Sequence, residues 1–188
     1  MAVKTGPRLR RAERRDQILA AATRAFARSG YAATGLDDIA AEAGISRVIL
    51  YRHFDSKADL YRSVLDHACL HLIQAVGDRE YTPATLDELL DAAAADPDGF
   101  RLLFHHAARE PEFRAEVDRL RAGSVEIARR YLAELIPDPA WATWAAQLAP
   151  TVAVDAVIAW LDAGQPDRSR TAERILQVLG AITEAARR

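Results

Sequence analysis

Apolar residues recur at three- and four-residue spacing along almost the whole chain, which is the period of amphipathic helices. In Arg10–Arg28, the residues Ile18, Leu19, Ala22, Ala25 and Phe26 fall on one side, and Gly30 offers a stop. Leu36, Ile39, Ala40 and Ala43 share a face of a short helix. Gly44 can then adopt the left-handed conformation that ends it, and Ile45 can plug into the core. Ser46 is placed to cap a second short helix that begins with Val48, Ile49 and Leu50 and closes at Phe54. Ser56 can cap a longer one over Lys57–Val76, with Leu60, Val64, Ala68 and Leu72 inward. Thr85-Leu86-Asp87-Glu88 is a capping-box pattern opening a helix to about Ala95. Asp96-Pro97 starts another to about Arg109, and Pro111 opens one ending near Ile136. Asp138-Pro139 starts Ala140–Ala163, stopped by Gly164 and Pro166, and Ser169 or Thr171 starts the last helix, to about Ala186. No alternating strand pattern, hairpin turn, repeat or low-complexity stretch interrupts this series. The pattern predicts an all-α chain of about nine helices.

Leu36–Lys57 is the most informative stretch. A short helix, a glycine turn and a second short helix form the unit that enters a major groove, and Arg47, Tyr51, Arg52, His53 and Lys57 lie on or just beyond the second helix.

The net charge of −2 looks unsuited to a nucleic-acid binder until it is divided. Residues 1–65 hold twelve Lys or Arg against seven Asp or Glu, a net +5, and residues 66–188 hold thirteen against twenty, a net −7. The first part attracts phosphate and the second repels it. The one cysteine, Cys69, excludes an intrachain disulfide and reads most simply as a small buried hydrophobe. No charged start followed by an apolar run resembles a signal peptide. The longest apolar region, Trp141–Leu161, is broken by Gln147, Pro150 and Asp155, so no membrane span is expected and a cytoplasmic location is the default.

Roles follow from side-chain chemistry. Arg47, at the start of the second helix, suits a bidentate contact to guanine, and Arg52 is a second candidate that also fits solvent or phosphate. Lys57 can meet phosphate with its ammonium and the nearby helix-start amides, and Thr34 can do the same before the short helix. Lys4, Arg8, Arg10 and Arg11 can trail along phosphates or into a minor groove. Phe54 reads as core, and His53 also fits a plain surface histidine.

The combination of Ile18-Leu19-Ala20-Ala21, Phe26-Ala27, Gly30-Tyr31, Thr34, Ile39-Ala40, Ala43-Gly44-Ile45-Ser46, Leu50-Tyr51, His53-Phe54, Ser56-Lys57 and Leu60 resembles the DNA-binding domain of the TetR (tetracycline-repressor-like) family of transcriptional regulators. The resemblance covers Arg15–Tyr61, about a quarter of the chain. It implies an N-terminal helix-turn-helix three-helix domain, residues 1–57 with a basic arm over 1–14, and a C-terminal helical ligand-binding and dimerisation domain, residues 58–188. It also implies that Tyr51 and His53 hold phosphates. Gly35 stands where the family usually has a second Ser or Thr, leaving only its amide for a phosphate. Val48 and Ile49 stand where the family favours small residues; they can touch a thymine methyl instead. The phosphate set is thus Thr34, Gly35, Ser46, Tyr51, His53 and Lys57, and the base set Arg47, Val48, Ile49 and Arg52.

The last two helices suggest a second copy of the chain. Ala140–Ala163 is apolar on more than one face, so it needs covering on both sides. A homodimer interface through Val154, Ile158, Leu161, Ile175, Leu179 and Ile182 fits, as does one deeply buried helix in a monomer. The resemblance implies the dimer, and Ala159-Trp160-Leu161-Asp162-Ala163-Gly164-Gln165-Pro166 resembles the corresponding turn in many members. Two reading helices one turn of double-stranded DNA apart would read a pseudo-palindromic operator. The family commonly binds a small-molecule effector in its C-terminal domain, and here its identity is unknown. Phe100, Leu103, Phe104, His106, Tyr131, Trp141 and Trp144 fit a lipophilic pocket or an ordinary core. Asp155, on an apolar helix, should have a partner. Three functions result: a ligand-released repressor, a DNA-binding activator or architectural protein without an effector, and a helical enzyme using His105 and His106 near Glu110. The third is remote, because adjacent histidines on a helix diverge by about 100°. No catalytic residue, metal ligand set or cofactor is assigned.

Overall fold

The structure, a computed structural model, describes residues 10–77 and 83–188. Helices account for its regular structure, and no strand occurs among the described residues. The helices are α1 (Arg11–Ala33), α2 (Leu36–Glu42), α3 (Arg47–Tyr51), α4 (Lys57–Val76), α5 (Pro83–Ala95), α6 (Pro97–Arg101), α7 (Arg114–Ala133), α8 (Pro139–Asp162) and α9 (Arg168–Arg187). A π turn (Leu102–His106) and a 3₁₀ turn (Ala107–Arg109) follow α6. The chain forms two compact units divided between His67 and Ala68, inside α4. The division drawn from the sequence falls at 57/58, where α4 starts; the first turns of α4 instead complete the first unit's core.

In that unit Ile18, Ala22 and Phe26 of α1 pack with Ile39 of α2, Leu50 of α3, and Leu60, Tyr61 and Val64 of α4, all fully buried. Tyr61 meets the Phe26 ring edge-on at 4.8 Å. Each such large side chain contributes about 1.5–3 kcal/mol by leaving water. Gly30 interrupts α1 at φ 76°, ψ 166°, a conformation essentially confined to glycine. The helix therefore breaks there and runs one turn further, to Ala33, than a glycine stop predicts.

In the second unit α7, α8 and α9 pack together, with α5 on α8 and α9. One cluster joins Leu86, Leu90 and Phe100 to Val157, Trp160 and Ile175; another joins Leu132 and Ile136 to Ala142, Ala145 and Ala186. Asp96, Asp138 and Asp167 cap α6, α8 and α9 through their carboxylates. At the end of α8, the Gly164 and Gln165 amides donate back to Leu161 and Trp160, which satisfies the last carbonyls. α8 is long and apolar enough to cross a membrane by length and composition. Its buried positions nonetheless form both clusters of this unit.

Four boundaries differ from the pattern. Thr85 lies inside α5 rather than at its start, because Pro83 already opens the helix. The expected helix over 97–109 becomes three short pieces of different winding. Pro111 occupies a turn, and α7 begins at Arg114 and ends at Ala133. α9 begins at Arg168, where Asp167 provides the cap.

Candidate nucleic-acid interface and effector cavity

The α2–α3 turn is built from backbone bonds. Gly44 sits at φ 63°, its amide donates to the Ala41 carbonyl at 3.0 Å, and the Ile45 amide donates to Ala40 at 2.9 Å. This pairing satisfies the end carbonyls of α2 and turns the chain into α3. Three α1 side chains fix it. Gln17 Nε2 donates to the Ala43 carbonyl at 2.8 Å. Arg24 and Arg28 pair with Glu42 at 2.8 and 2.6 Å, and the Arg28 hydrogen bond is the main reason the Glu42 carboxyl lies below its usual range.

α3 buries Leu50 and presents the opposite face. Val48 is 63% exposed, Tyr51 44%, and Arg47 and Arg52 are also exposed. Ile49 is half-buried. Arg47 is held between Asp37 Oδ2 at 3.0 Å and the Tyr51 hydroxyl at 3.2 Å, with its guanidinium 5.5 Å from the Tyr51 ring centroid. The Tyr51 hydrogen bond and the Asp37 charge favour its charged form. Both partners lie at the surface, so the pairing is weak and readily exchanged for a base or phosphate. Arg52 has no ion pair among the described residues.

Several expected phosphate contacts are placed otherwise. Thr34 is buried, and its hydroxyl lies 2.6 Å from the Gly30 carbonyl and 3.2 Å from that of Ala25, so it closes the break in α1 instead of facing solvent. The Gly35 amide donates to Asp38 Oδ2 at 3.0 Å, so a phosphate would have to displace that carboxylate. Ser46 stands at the N-cap of α3, but its hydroxyl makes no capping bond; it is exposed and open to another partner. Ser56 does cap α4, accepting from the Asp59 amide at 3.0 Å. Lys57 donates to the Ala32 carbonyl at 3.2 Å and lies 4.6 Å from the Tyr31 ring centroid. An ammonium has three donors, so two remain.

His53 is half-buried, and burial, then the charges of Arg11, Arg15 and Arg14, lower its pKa. Arg15 stacks 4.4 Å over Phe54 and donates to the His53 carbonyl and to Ser63 Oγ. Sequence reasoning missed Gln17, Arg15 and Asp37, since each acts across a long sequence separation. Lys4 and Arg8 of the basic arm lie outside the described residues; Arg10 and Arg11 are exposed.

The second unit holds a cavity of about 670 Å³ between α7, α8, α9, α5 and the end of α4. Phe104 and Tyr131 line it. Phe100 and Leu103 line instead a smaller cavity of about 140 Å³, bounded by Ala68, His71 and Ala75. His106, Trp141, Trp144 and Asp155 line neither. Trp141 and Trp144 stand on the outer face of α8, edge to face at 5.7 Å. Asp155 is exposed, so hydration removes the need for a partner. The proposed dimer stripe also turns inward in part. Leu161 and Ile175 are buried in the unit's own core, Val154 and Leu179 line the large cavity, and Ile158 and Ile182 pack against the clusters. His105 and His106 stack at 5.5 Å, and burial followed by the His105 charge lowers the His106 pKa. Among the described residues, no group of three His, Cys, Asp or Glu is placed to hold a metal. Cys69 is only half-buried.

Comparison with known proteins agrees with this arrangement. The family model "Bacterial regulatory proteins, tetR family" matches residues 18–64. The HTH-type transcriptional activator FasR of Mycolicibacterium smegmatis is 37% identical over 123 residues, covering 61% of this chain and 56% of that protein. The HTH-type transcriptional repressor SCO4008 of Streptomyces coelicolor is 33% identical over 149 residues, covering 69% of this chain and 76% of that protein. The crystal structure of a TetR-like transcriptional regulator from Rhodococcus sp. RHA1 superposes with a TM-score of 0.77 at 22% identity, over 94% of this chain and 96% of that one, and so shares the fold. With the α1–α4 unit matching the family model and the helical second unit following it, this chain belongs to the TetR family of bacterial regulatory proteins.

Proposed function

We propose that the chain is a DNA-binding transcriptional repressor that works as a homodimer, reads a pseudo-palindromic operator through α3, and is released by a lipophilic small molecule in the second unit. The carrying observation is the exposed face of α3: Arg47, Val48, Tyr51 and Arg52 project from a helix whose other side is locked by Leu50 and the Gly44 turn. Arg47, Val48 and Ile49 serve base readout, with Arg52 on base or phosphate. Lys57, Tyr51, His53 and Ser46 serve phosphates, joined by Arg11. Thr34 serves the fold.

Dimerisation through α8 and α9 is supported by their outer faces, where Trp141, Trp144 and Val178 are exposed. One short reading helix buries too little surface for tight binding, so two are needed. The large cavity supports the effector. A relative named an activator and a relative named a repressor favour two readings of the transcriptional output. A reporter under the selected operator decides between them: deletion of the gene raises expression if the protein represses and lowers it if the protein activates.

Selection from randomised duplexes followed by fluorescence anisotropy tests the proposal. Enrichment of two related half-sites is expected. Binding with no sequence preference would overturn operator reading.

A further inference from the structure

We infer that the large cavity of the second unit takes a long-chain amphiphile with an anionic head group, and that Gly123 and Gly180 keep the space its tail occupies; this rests on reading that unit as the effector domain. Along α7 the lining runs from Arg119 to Leu132, about 20 Å of helix, and Leu135 continues it just past the helix end. A site of that length suits an extended apolar chain better than a compact ring system.

The polar groups in the wall are largely occupied by the protein itself. Ser124 Oγ donates to the Leu120 carbonyl at 3.3 Å, and Thr183 Oγ1 donates to that of Leu179 at 3.2 Å. Glu184 is paired with Arg187 at 3.0 Å. Arg119 differs. Among the described lining residues it is the one cation, its Nε donates to the Ala115 carbonyl, and its terminal nitrogens have no partner among the described residues. A carboxylate or phosphate is the complement of that fork.

Gly123 lies inside α7 and Gly180 inside α9, and both line the cavity. Glycine is a poor residue for a helix interior. Neither glycine has a positive φ, and a Cβ added at either would meet nothing within 4 Å. No packing within the protein therefore requires glycine there, and the room each leaves belongs to the cavity.

The test uses the full-length protein with stearate, stearoyl-CoA and uncharged stearyl alcohol, measured by displacement of a fluorescent lipid. Saturable binding of at least one anionic probe is expected. If stearate alone binds, the source is a free carboxylate; if stearoyl-CoA alone binds, it is a phosphate-bearing thioester. Arg119→Ala should weaken the anionic probe about tenfold, the loss of one charged hydrogen-bond partner, and leave the alcohol unchanged. Gly123→Leu and Gly180→Leu should each weaken the anionic probe by at least as much, without lowering the melting temperature of the unliganded protein. Gly180→Ala should give a smaller loss in the same direction and serves if a leucine variant fails to fold by circular dichroism. Failure of both anionic probes to bind, alcohol binding as tight as theirs, or leucine variants that bind normally would overturn the inference. Operator binding is measured on the same preparation. Intact operator binding without lipid binding overturns this inference alone, whereas absent operator binding overturns the proposed function.

Discussion

At the level of single residues, the side chains nearest DNA in a docked α3 divide by what already holds them. Arg47 is tied only by surface partners, so Arg47→Ala is expected to relax base preference by about 1–3 kcal/mol at one position, as measured by competition between operator variants. Lys57→Ala is expected to weaken all sequences alike and to reduce the salt slope by about 1. Thr34 behaves differently, because its hydroxyl serves two carbonyls inside the unit. Thr34→Val is expected to destabilise the fold by about 1–2 kcal/mol in urea titration and leave operator preference unchanged. A preserved melting curve with altered DNA contacts would restore Thr34 to the interface. His53 adds a pH dependence. Its folded pKa lies below the ordinary 6.5, so the unfolded chain binds the proton first and stability falls as pH drops below about 6.5. His106 is shifted the same way and contributes in the same window. His53→Gln should remove part of that acid sensitivity in denaturation at two pH values. The residue types on α3 were legible in the sequence, because exposure follows from the helical period. Asp37 beside Arg47 and Asp38 on the Gly35 amide were not, since they depend on how α2 and α3 cross.

At the level of elements, the glycines mark the architecture. Gly44 and Gly30 both hold positive φ, and no neighbour crowds either. Gly44→Ala should therefore cost only the left-handed strain, about 1–2 kcal/mol. Gly30→Ala should cost about 1–3 kcal/mol because its conformation is rarer for other residues. Equilibrium unfolding of both variants checks this ordering, and equal or negligible costs would contradict it. The helix starts at Asp96, Asp138 and Ser56 were readable because a cap is a local signal. The winding of 97–109 was not. Leu102–His106 is a π turn whose Phe104 lines the large cavity while Leu103 lines the small one, a placement set by tertiary packing. The stripe on α8 and α9 was similarly ambiguous. Periodicity finds an apolar face but cannot tell a core from an interface, and Leu161 and Ile175 belong to the core.

For the whole molecule, the charge division of +5 and −7 is legible in the sequence, and it orients the basic part of the chain toward a polyanion. The cavity was visible only in part, through Phe104 and Tyr131, because most of its wall comes from ordinary leucine, alanine and glycine positions on five helices. Sedimentation analysis should show a dimer, and Trp141→Ala combined with Trp144→Ala should shift it toward monomer while retaining helicity. An unchanged dimer would place the interface elsewhere. The reading of α3 as a groove-entering helix stands or falls on its register with a second copy. The most direct measurement is anisotropy of the full-length protein on the selected operator against one isolated half-site at fixed salt. Two half-sites about one DNA turn, roughly 34 Å, apart should bind at least tenfold tighter than the single one. Equal affinity for both would contradict a dimer reading a pseudo-palindrome.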